Sequence, residues 1–180
     1  MTPEIHFRPA EPADALCLGV LSTQVFLDTY AMLGISRVLA DEVLAKHSVA
    51  VYQALLADPA VTILVAECDG YLVGFSQVRS DIGHALVAES DAAELDRLYV
   101  QERFTGRGVG RDLLRHAEKA AAARGADTLW LTAWEGNARA LDFYPRRGYE
   151  NLGMTVYTFG GADYPNHVFG KRVRHVAAQA

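Results

Sequence analysis

Three glycines at alternate positions, Gly106, Gly108 and Gly110, lie between a predicted strand and a predicted helix. Glycine lets a backbone come close to a ligand, and the first N–H groups of a helix have no partner inside it. Because those groups also lie at the positive end of the helix dipole, such a turn can bind phosphate oxygens. The basic residues around it recur every four positions: Arg103, Arg107 and Arg111. On the turn alone two interpretations stay open, a phosphate site and a structural turn that lets helix and strand pack closely.

Two better-known phosphate motifs do not fit this turn. A Walker loop ends in Gly-Lys-Ser/Thr, and no lysine follows a glycine of the turn. A dinucleotide fingerprint has the spacing G-x-G-x-x-G, whereas this turn reads G-x-G-x-G. The acidic residue expected about twenty positions later could only be Asp127, which begins the next predicted strand.

Other residue types show no catalytic pattern. The six histidines lack the spacings of metal-binding motifs, so no metal is expected. No serine lies in a G-x-S-x-G turn, so a hydrolase triad has no support. Cys17 and Cys68 fall in apolar periodic segments, which predicts that both are core residues.

Length, composition and charge narrow the classes of protein. With 180 residues, 51% hydrophobic and 22% charged, the chain is typical of one globular domain over residues 1–180. No apolar run approaches the ~18 residues of a membrane helix, and the start lacks the features of a signal peptide. We therefore expect a cytoplasmic protein that does not associate with membranes.

The net charge of −5 is unevenly distributed. Residues 1–96 hold 4 basic and 14 acidic residues, whereas residues 97–124 hold 7 basic and 3 acidic ones. The basic segment indicates a small anionic ligand, while the acidic remainder argues against nucleic acid and favours a cationic partner. The alternative is an acidic surface that only keeps the protein soluble.

The first half of the chain is predicted to hold a strand, two helices and a hairpin. Residues 5–8 alternate like a strand. A helix follows Pro12, with apolar positions at Leu16, Val20 and Phe26. A second helix is predicted over residues 41–56, and its apolar side holds Val43, Leu44, Val51 and Leu55. Asp69-Gly70 predicts a tight turn between strands at 61–66 and 71–75, and residues 80–93 are typical of a loop.

The second half alternates between strands and helices. A strand ends at Val100, and the helix after the glycine turn stops at Arg124-Gly125. The apolar stripe of that helix is Val109, Leu113, Ala117 and Ala121. A buried strand over 128–133, a short helix over 137–144 and strands near 149–159 and 168–173 follow. The pattern predicts an α/β or α+β fold with a mixed sheet.

Several segments together resemble the GNAT (GCN-related) N-acetyltransferase family. They are Leu98-Tyr99-Val100, Thr105-Gly106-Arg107-Gly108-Val109-Gly110, Asn137-Ala138-Arg139-Ala140-Leu141-Asp142-Phe143-Tyr144 and Gly148-Tyr149-Glu150, with matching order and spacing over about residues 94–150. Phe7-Arg8-Pro9-Ala10 with Asp14, and Gly74-Phe75, also resemble the family's beginning. A weaker resemblance to its bacterial polyamine (spermidine/spermine) acetyltransferase branch rests on Trp130-Leu131, Trp134-Glu135-Gly136-Asn137 and Phe159-Gly160.

The resemblance implies a GNAT-like central sheet, mixed and mostly antiparallel, twisted and flanked by helices. Acetyl-CoA, the co-substrate, would bind between splayed central strands. Its pantetheine arm would pair with the backbones of Leu98 and Val100, and its pyrophosphate would lie on the turn. The residues implied there are Thr105, Gly106, Arg107, Gly108, Val109, Gly110 and Arg111. Asn137 would contact the cofactor, and the hydroxyl of Tyr144 would stand near the thioester sulfur.

The chain departs from the family pattern at two positions. Thr105 stands where the family's turn usually begins with Gln or Arg, so a side-chain contact to the cofactor would be lost while the backbone amides remain. Pro145 lacks an N–H and disfavours helical geometry at Tyr144. We therefore expect Pro145 to affect the position of the Tyr144 hydroxyl.

Amine acetylation needs a proton donor and a proton acceptor. With the resemblance in place, Tyr144 is the candidate acid for the leaving thiolate, and its alternative is a half-buried aromatic residue on an amphipathic helix. Glu94 is the candidate base, acting through water, with Asp96 as a second choice on the same strand face. Both carboxylates could instead only hold a cationic substrate or face solvent.

The sequence thus predicts an acetyl-CoA-dependent N-acetyltransferase that acts on a primary amine by direct transfer in a ternary complex. A polyamine or similar small cationic amine is the expected acceptor. The alternatives are a protein amino group or an aminoglycoside as acceptor, and a non-catalytic acyl-CoA-binding module. A homodimer is a further possibility, and no nucleic-acid partner is expected.

Overall fold

The computed structural model describes residues 4–88 and 90–173. The chain divides into two compact units. The N-terminal unit comprises the chain up to Gln77 together with Arg97–Ala117, and the C-terminal unit comprises Val78–Asp96 together with the chain from Glu118 onward.

The N-terminal unit contains four strands and the helices that cover them. Its elements are β1 (Ile5–Pro9), α1 (Ala15–Tyr30), α2 (Arg37–Lys46), α3 (Val49–Ala57), β2 (Val61–Cys68), most of β3 (Tyr71–Arg79), the end of β4 (Ala92–Val100) and the start of α4 (Val109–Ala123). The strand order is β1-β2-β3-β4, and β1 and β2 are antiparallel. Asp69 and Gly70, with φ of 51° and 80°, form the tight turn that the Asp-Gly pair predicts.

The core of this unit lies on both faces of β2. Ile63 and Val65 pack in a cluster with Leu18 of α1, whereas Ala66 packs in a cluster with Leu113 of α4. Consecutive strand residues point to opposite faces, so different helices bury the two faces of the strand. This double burial explains why the β2 sequence is a nearly continuous apolar run.

The C-terminal unit contains the start of β4, the end of α4 and four further elements. These are β5 (Thr128–Trp134), α5 (Ala138–Phe143), β6 (Glu150–Phe159) and β7 (Ala162–Arg172). The strand order is β4-β5-β7-β6. The pairing of β4 with β5 is parallel, and β7 is antiparallel to both β5 and β6. The prediction of a mixed, mostly antiparallel sheet flanked by helices is confirmed.

Two predicted boundaries were wrong, one in the C-terminal unit and one in the N-terminal unit. β7 begins at Ala162, before the predicted start near Val168, because Gly160 and Gly161 adopt φ of 58° and 77° and turn the chain back at once. The helix predicted over residues 41–56 is two helices, α2 and α3. Ser48 begins α3 by accepting a hydrogen bond from the Val51 N–H at 3.4 Å.

His47 occupies the junction between α2 and α3. Its ring is buried, and Nδ1 lies 2.5 Å from the Ser22 hydroxyl oxygen of α1. Burial lowers the pKa of His47 to about 4, and the nearby Arg97 cation acts in the same direction. A neutral imidazole therefore holds the junction against α1.

The prediction for the buried face of α1 was wrong at Leu16 and Val20, whereas its third position, Phe26, is half-buried with its ring centre 4.7 Å from that of His47. Leu16 and Val20 are exposed, and the face that packs inward includes Leu18 and the small residue Gly19. A Cβ added to Gly19 would meet the His47 carbonyl oxygen at 3.0 Å, so α1 approaches the junction too closely for a larger side chain. Cys17, which was predicted in the core, lies on the exposed face of α1. Cys68 is buried as predicted.

The stripe on α4 is confirmed, because Val109, Leu113, Ala117 and Ala121 are all buried. No helix in the described ranges is long and apolar enough to cross a membrane.

The two faces of α1 predict opposite results for two neighbouring leucines. Leu18 is 0% exposed and Leu16 is 60% exposed. We expect Leu18→Ala to lower the free energy of unfolding by about 2–5 kcal/mol, because it leaves a cavity in the core. Leu16→Ala, the matched control, is expected to change it by less than about 0.5 kcal/mol. Urea unfolding measures both, and equal losses would contradict the assignment of the buried face.

Candidate active site

The glycine turn follows β4 in the N-terminal unit and leads directly into α4. Gly106 and Gly108 have φ of 73° and 87°, a backbone region that other residues adopt only at a cost. The Thr105 hydroxyl donates a hydrogen bond to the Glu102 carbonyl at 2.8 Å and closes the short turn before them. Thr105, the departure from the family pattern, therefore stabilises the turn itself.

The first N–H groups of α4 point out of the helix end. The Asp112 N–H donates to the Gly108 carbonyl at 3.0 Å, so helical hydrogen bonding begins there. The N–H groups of Val109, Gly110 and Arg111 precede it and have no partner inside the helix by geometry. Together with the helix dipole, they form a donor set that suits phosphate oxygens.

The arginines of the turn are exposed and differ in their partners. The Arg107 guanidinium lies 5.4 Å from the centre of the Phe104 ring. Arg111, which the resemblance places near the pyrophosphate, pairs instead with Asp112 through two contacts of 3.2 Å. The Asp112 carboxylate raises the pKa of Arg111 further above its usual range, so the cation is permanent. The turn thus fits a diphosphate through backbone N–H groups and positive charge.

The end of β4 is fixed against β3 and α4. A Cβ on Gly74 of β3 would meet the Tyr99 carbonyl oxygen at 2.8 Å, so the two backbones approach closely here. The Gln101 N–H donates to the Val73 carbonyl at 2.9 Å. Leu98 and Val100 pack against the cluster that contains Val109, which places them next to the start of α4.

The predicted base candidates lie on the part of β4 that belongs to the C-terminal unit. Glu94 is half-buried and Asp96 is exposed, whereas Leu95 between them is buried on the other face. Parallel pairing with β5 runs from Ala92 with Thr128 to Glu94 with Trp130. Glu94 therefore stands at the last paired position of this short ladder.

Asn137 begins α5. Its side-chain oxygen accepts a hydrogen bond from the Ala140 N–H at 3.0 Å, which is the standard cap of a helix start. The Gly136 before it is required by Trp134, whose ring would lie within 2.4 Å of an added Cβ. The local role of the Asn137 oxygen is therefore to fix the start of the helix that carries Tyr144.

Pro145 does not displace Tyr144 from helical geometry, contrary to our expectation. Tyr144 has φ of −71° and ψ of −44°, and its N–H donates to the Ala140 carbonyl at 3.2 Å. Pro145 begins a short 3-10 turn, where its missing N–H is tolerated. The turn ends at Gly148, with φ of 81°, where the Tyr149 N–H returns to the Tyr144 carbonyl at 3.3 Å.

The Tyr144 side chain lies in an aromatic cluster of the C-terminal unit. It is 8% exposed, and its ring centre lies 5.6 Å from that of Tyr149 and 6.0 Å from that of Phe169. Burial raises the pKa of the Tyr144 phenol well above its usual range, and the Arg147 cation opposes part of that rise. The phenol is therefore protonated at neutral pH.

The candidate residues fall into two sets. The turn, Leu98 and Val100 belong to the N-terminal unit, where the structure packs them together. Glu94, Asn137 and Tyr144 belong to the C-terminal unit. The sequence analysis did not select Arg147, although a basic residue at the end of a helix is a known signal for capping the last carbonyls of that helix. No group of three or more His, Cys, Asp or Glu residues that could hold a metal occurs in the described ranges.

A mixed sheet, a glycine turn that leads into a helix and a short helix that ends at a tyrosine are the features that the family resemblance implies. The model of the acetyltransferase (GNAT) family matches residues 30–149, and the chain belongs to this family.

A curated relative agrees with this family, and a solved structure agrees with the fold. An uncharacterized N-acetyltransferase of Mycobacterium tuberculosis is 30% identical over 122 residues, which cover 68% of this chain and 74% of that protein. The PaiA N-acetyltransferase of Thermoplasma acidophilum, crystallised with coenzyme A, has the same fold with a TM-score of 0.71 at 22% identity. That comparison covers 94% of this chain and 99% of the other.

Streptothricin acetyltransferase of Streptomyces lavendulae is 32% identical over 100 residues, or 56% of this chain. The chain matches only 50% of that protein's length, and 61% of an uncharacterized N-acetyltransferase of Lactobacillus delbrueckii.

The left-handed glycines allow a controlled test of the turn. Gly106 and Gly125 both have positive φ and open space around an added Cβ, but only Gly106 lies in the turn. We expect Gly106→Ala and Gly125→Ala each to cost roughly 1–2 kcal/mol of stability. Only Gly106→Ala is expected to weaken acetyl-CoA binding, by about tenfold or more. The substitution would displace a backbone N–H that donates to the charged pyrophosphate. Titration calorimetry measures this, and equal weakening by both variants would argue against the turn.

Proposed function

We propose that this chain transfers the acetyl group of acetyl-CoA to a primary amine by direct attack in a ternary complex. The observation that carries the proposal is the pair of glycines with positive φ, Gly106 and Gly108, that directly precede α4. A buried, protonated tyrosine at the end of α5 is the proposed proton donor for the leaving sulfur. Acetyl-CoA supplies a thioester carbonyl that a neutral amine can attack.

Binding of the co-substrate rests on backbone groups. The N–H groups from Gly106 to Arg111 hold the pyrophosphate, with Arg107 adding charge. The backbones of Leu98 and Val100 pair with the pantetheine arm, and Asn137 is a further candidate contact to the cofactor. Support comes from the packing of Leu98 and Val100 against the start of α4, which ties both backbone sites to one cluster.

The acceptor amine must lose a proton before it attacks. An alkyl amine has a pKa of about 10.4, so most of it is charged at neutral pH. Glu94 takes this proton through water, and Asp96 is the alternative on the same strand face. A backbone N–H near Val100 donates to the oxygen that becomes negative when the amine adds to the carbonyl.

Tyr144 completes the reaction by protonating the leaving sulfur. Its O–H bond breaks as the S–H bond forms, the nitrogen of the new amide loses its second proton to solvent, and the phenolate later regains a proton from solvent. The raised pKa of Tyr144 keeps the donor protonated across the neutral and mildly alkaline range in which amines become good nucleophiles. Alkaline loss of activity is therefore not expected from this group.

A polyamine or another small cationic amine is the acceptor we propose. The support is electrostatic, because residues 1–96 hold 14 acidic and 4 basic residues. Glu94 and Asp96 add two carboxylates where the amine would approach. An aminoglycoside or a protein amino group would use the same chemistry. One relative is named streptothricin acetyltransferase, so the acceptor panel also includes amines other than polyamines.

A non-catalytic acyl-CoA-binding module is the alternative from another class. It would need the turn but not Tyr144 or Glu94.

We also propose that the chain acts as one cytoplasmic domain and pairs with a second copy through its terminal strands. The exposed apolar residues of β6, Met154, Val156 and Tyr157, support such pairing.

Thiol release from acetyl-CoA against a panel of amines tests the proposed function. The panel contains spermidine, spermine, an aminoglycoside, amino acids and short peptides. We expect saturable release with spermidine or spermine and a loss of about 10²–10⁴-fold in Tyr144→Phe. Tyr71→Phe, which removes the hydroxyl of an exposed tyrosine on β3, is the control and should keep full turnover.

The other outcomes are equally specific. Binding of acetyl-CoA without thiol release for any amine would favour the binding module. Release with an aminoglycoside or a peptide alone would keep the chemistry and replace the acceptor. Full turnover in Tyr144→Phe would remove Tyr144 as the acid.

A further inference from the structure

Two adjacent arginines follow Pro145, and the structure treats them differently. Arg146 is exposed and pairs with Asp142 one helical turn earlier at 2.7 Å. Arg147 is half-buried and turns back over the end of α5, with its guanidinium carbon 3.5 Å from the centre of the Phe143 ring. Only Arg147 contacts the residue that immediately precedes Tyr144.

The hydrogen bonding explains why a side chain is needed at this place. In a continuing α-helix the Phe143 carbonyl would accept the N–H of Arg147. The 3-10 turn at Pro145 instead directs that N–H to the Tyr144 carbonyl at 2.9 Å. The Arg147 side chain replaces the missing donor, because its Nη1 donates to the Phe143 carbonyl at 2.7 Å.

Arg147 thus binds two consecutive carbonyls, those of Phe143 and Tyr144, through its side chain and its backbone. Its planar guanidinium also covers the Phe143 ring, which packs edge-on against Tyr144 with ring centres 5.1 Å apart. A cation stacked on an aromatic face and held by a short hydrogen bond restricts both partners. The Tyr144 ring is therefore held from its own backbone and from its neighbour.

We propose that Arg147 is a positioning residue for Tyr144. Arg147 fixes the end of α5, so the Tyr144 phenol keeps its position although a proline follows it. The proposal rests on the proposed function, since it assigns Tyr144 the role of proton donor. The Arg147 cation also favours the phenolate that forms when Tyr144 gives up its proton.

The titratable groups packed around Tyr144 include Arg147, Tyr149, Lys171 and Glu118. Arg147 approaches from the turn after α5, and the neutral phenol of Tyr149 lies across the ring. Behind Tyr149, Lys171 pairs with Glu118 at 2.8 Å, and that pair is internally neutral. Removal of Arg147 thus changes the charge next to Tyr144 and leaves the ion pair of Lys171 and Glu118 intact.

Three variants and one double variant test the proposal in the full chain. Arg147→Gln removes the cation and the stacked plane, Arg147→Lys keeps the charge and a donor, and Arg146→Gln is the matched control. We expect Arg147→Gln to lower kcat by about tenfold to a hundredfold, as for other small displacements of a catalytic group, with KM for acetyl-CoA nearly unchanged. Arg147→Lys should lie between Arg147→Gln and the unmodified protein, and Arg146→Gln should match the latter.

The double variant separates positioning from a general structural role. If Arg147 acts through Tyr144, then Arg147→Gln added to Tyr144→Phe causes no further loss of kcat. An equal loss of kcat in both backgrounds, or an unchanged kcat in Arg147→Gln, would overturn the proposal. Full turnover in Tyr144→Phe alone would instead overturn the assignment of the acid, so the two failures are distinguishable.

Discussion

The turn between β4 and α4 has to reverse the chain and still leave the first N–H groups of the helix open to a ligand. Gly106 and Gly108 meet both demands with positive φ, which residues with a Cβ adopt only at a cost. The buried stripe of α4 then fixes the helix, with Leu113 packed beside Ala66 of β2. The cofactor binding that we propose for this turn thus depends on backbone conformation first and on side-chain charge second.

A similar constraint governs the end of α5. Pro145 interrupts helical hydrogen bonding one residue after Tyr144, yet Tyr144 keeps helical angles. The N–H groups of Arg147 and Tyr149 both return to the Tyr144 carbonyl, and the Arg147 side chain takes the Phe143 carbonyl. The proline therefore sharpens the end of the helix, and hydrogen bonds from the following turn keep the phenol in place.

Elements with a strong local signal could be predicted from the sequence, as the Asp69-Gly70 hairpin and the α4 stripe show. The buried face of α1 could not, because the small residue Gly19 packs against the His47 backbone, where an added Cβ would lie 3.0 Å from the carbonyl oxygen. Periodicity of large apolar residues selects Leu16 and Val20 instead, and both are exposed. The candidate site was located by resemblance, but the contacts of Arg147 depend on a 3-10 turn that no sequence pattern specified.

Amide hydrogen exchange, read residue by residue by NMR with and without acetyl-CoA, tests the central claim most directly. If the first turn of α4 holds the pyrophosphate, exchange of the amides from Gly106 to Arg111 slows when acetyl-CoA binds. The amides of Gly125 and Ala126 beyond the other end of α4 serve as the internal reference and should not change. Acetyl-CoA that binds and leaves the Gly106–Arg111 amides unchanged would contradict the account.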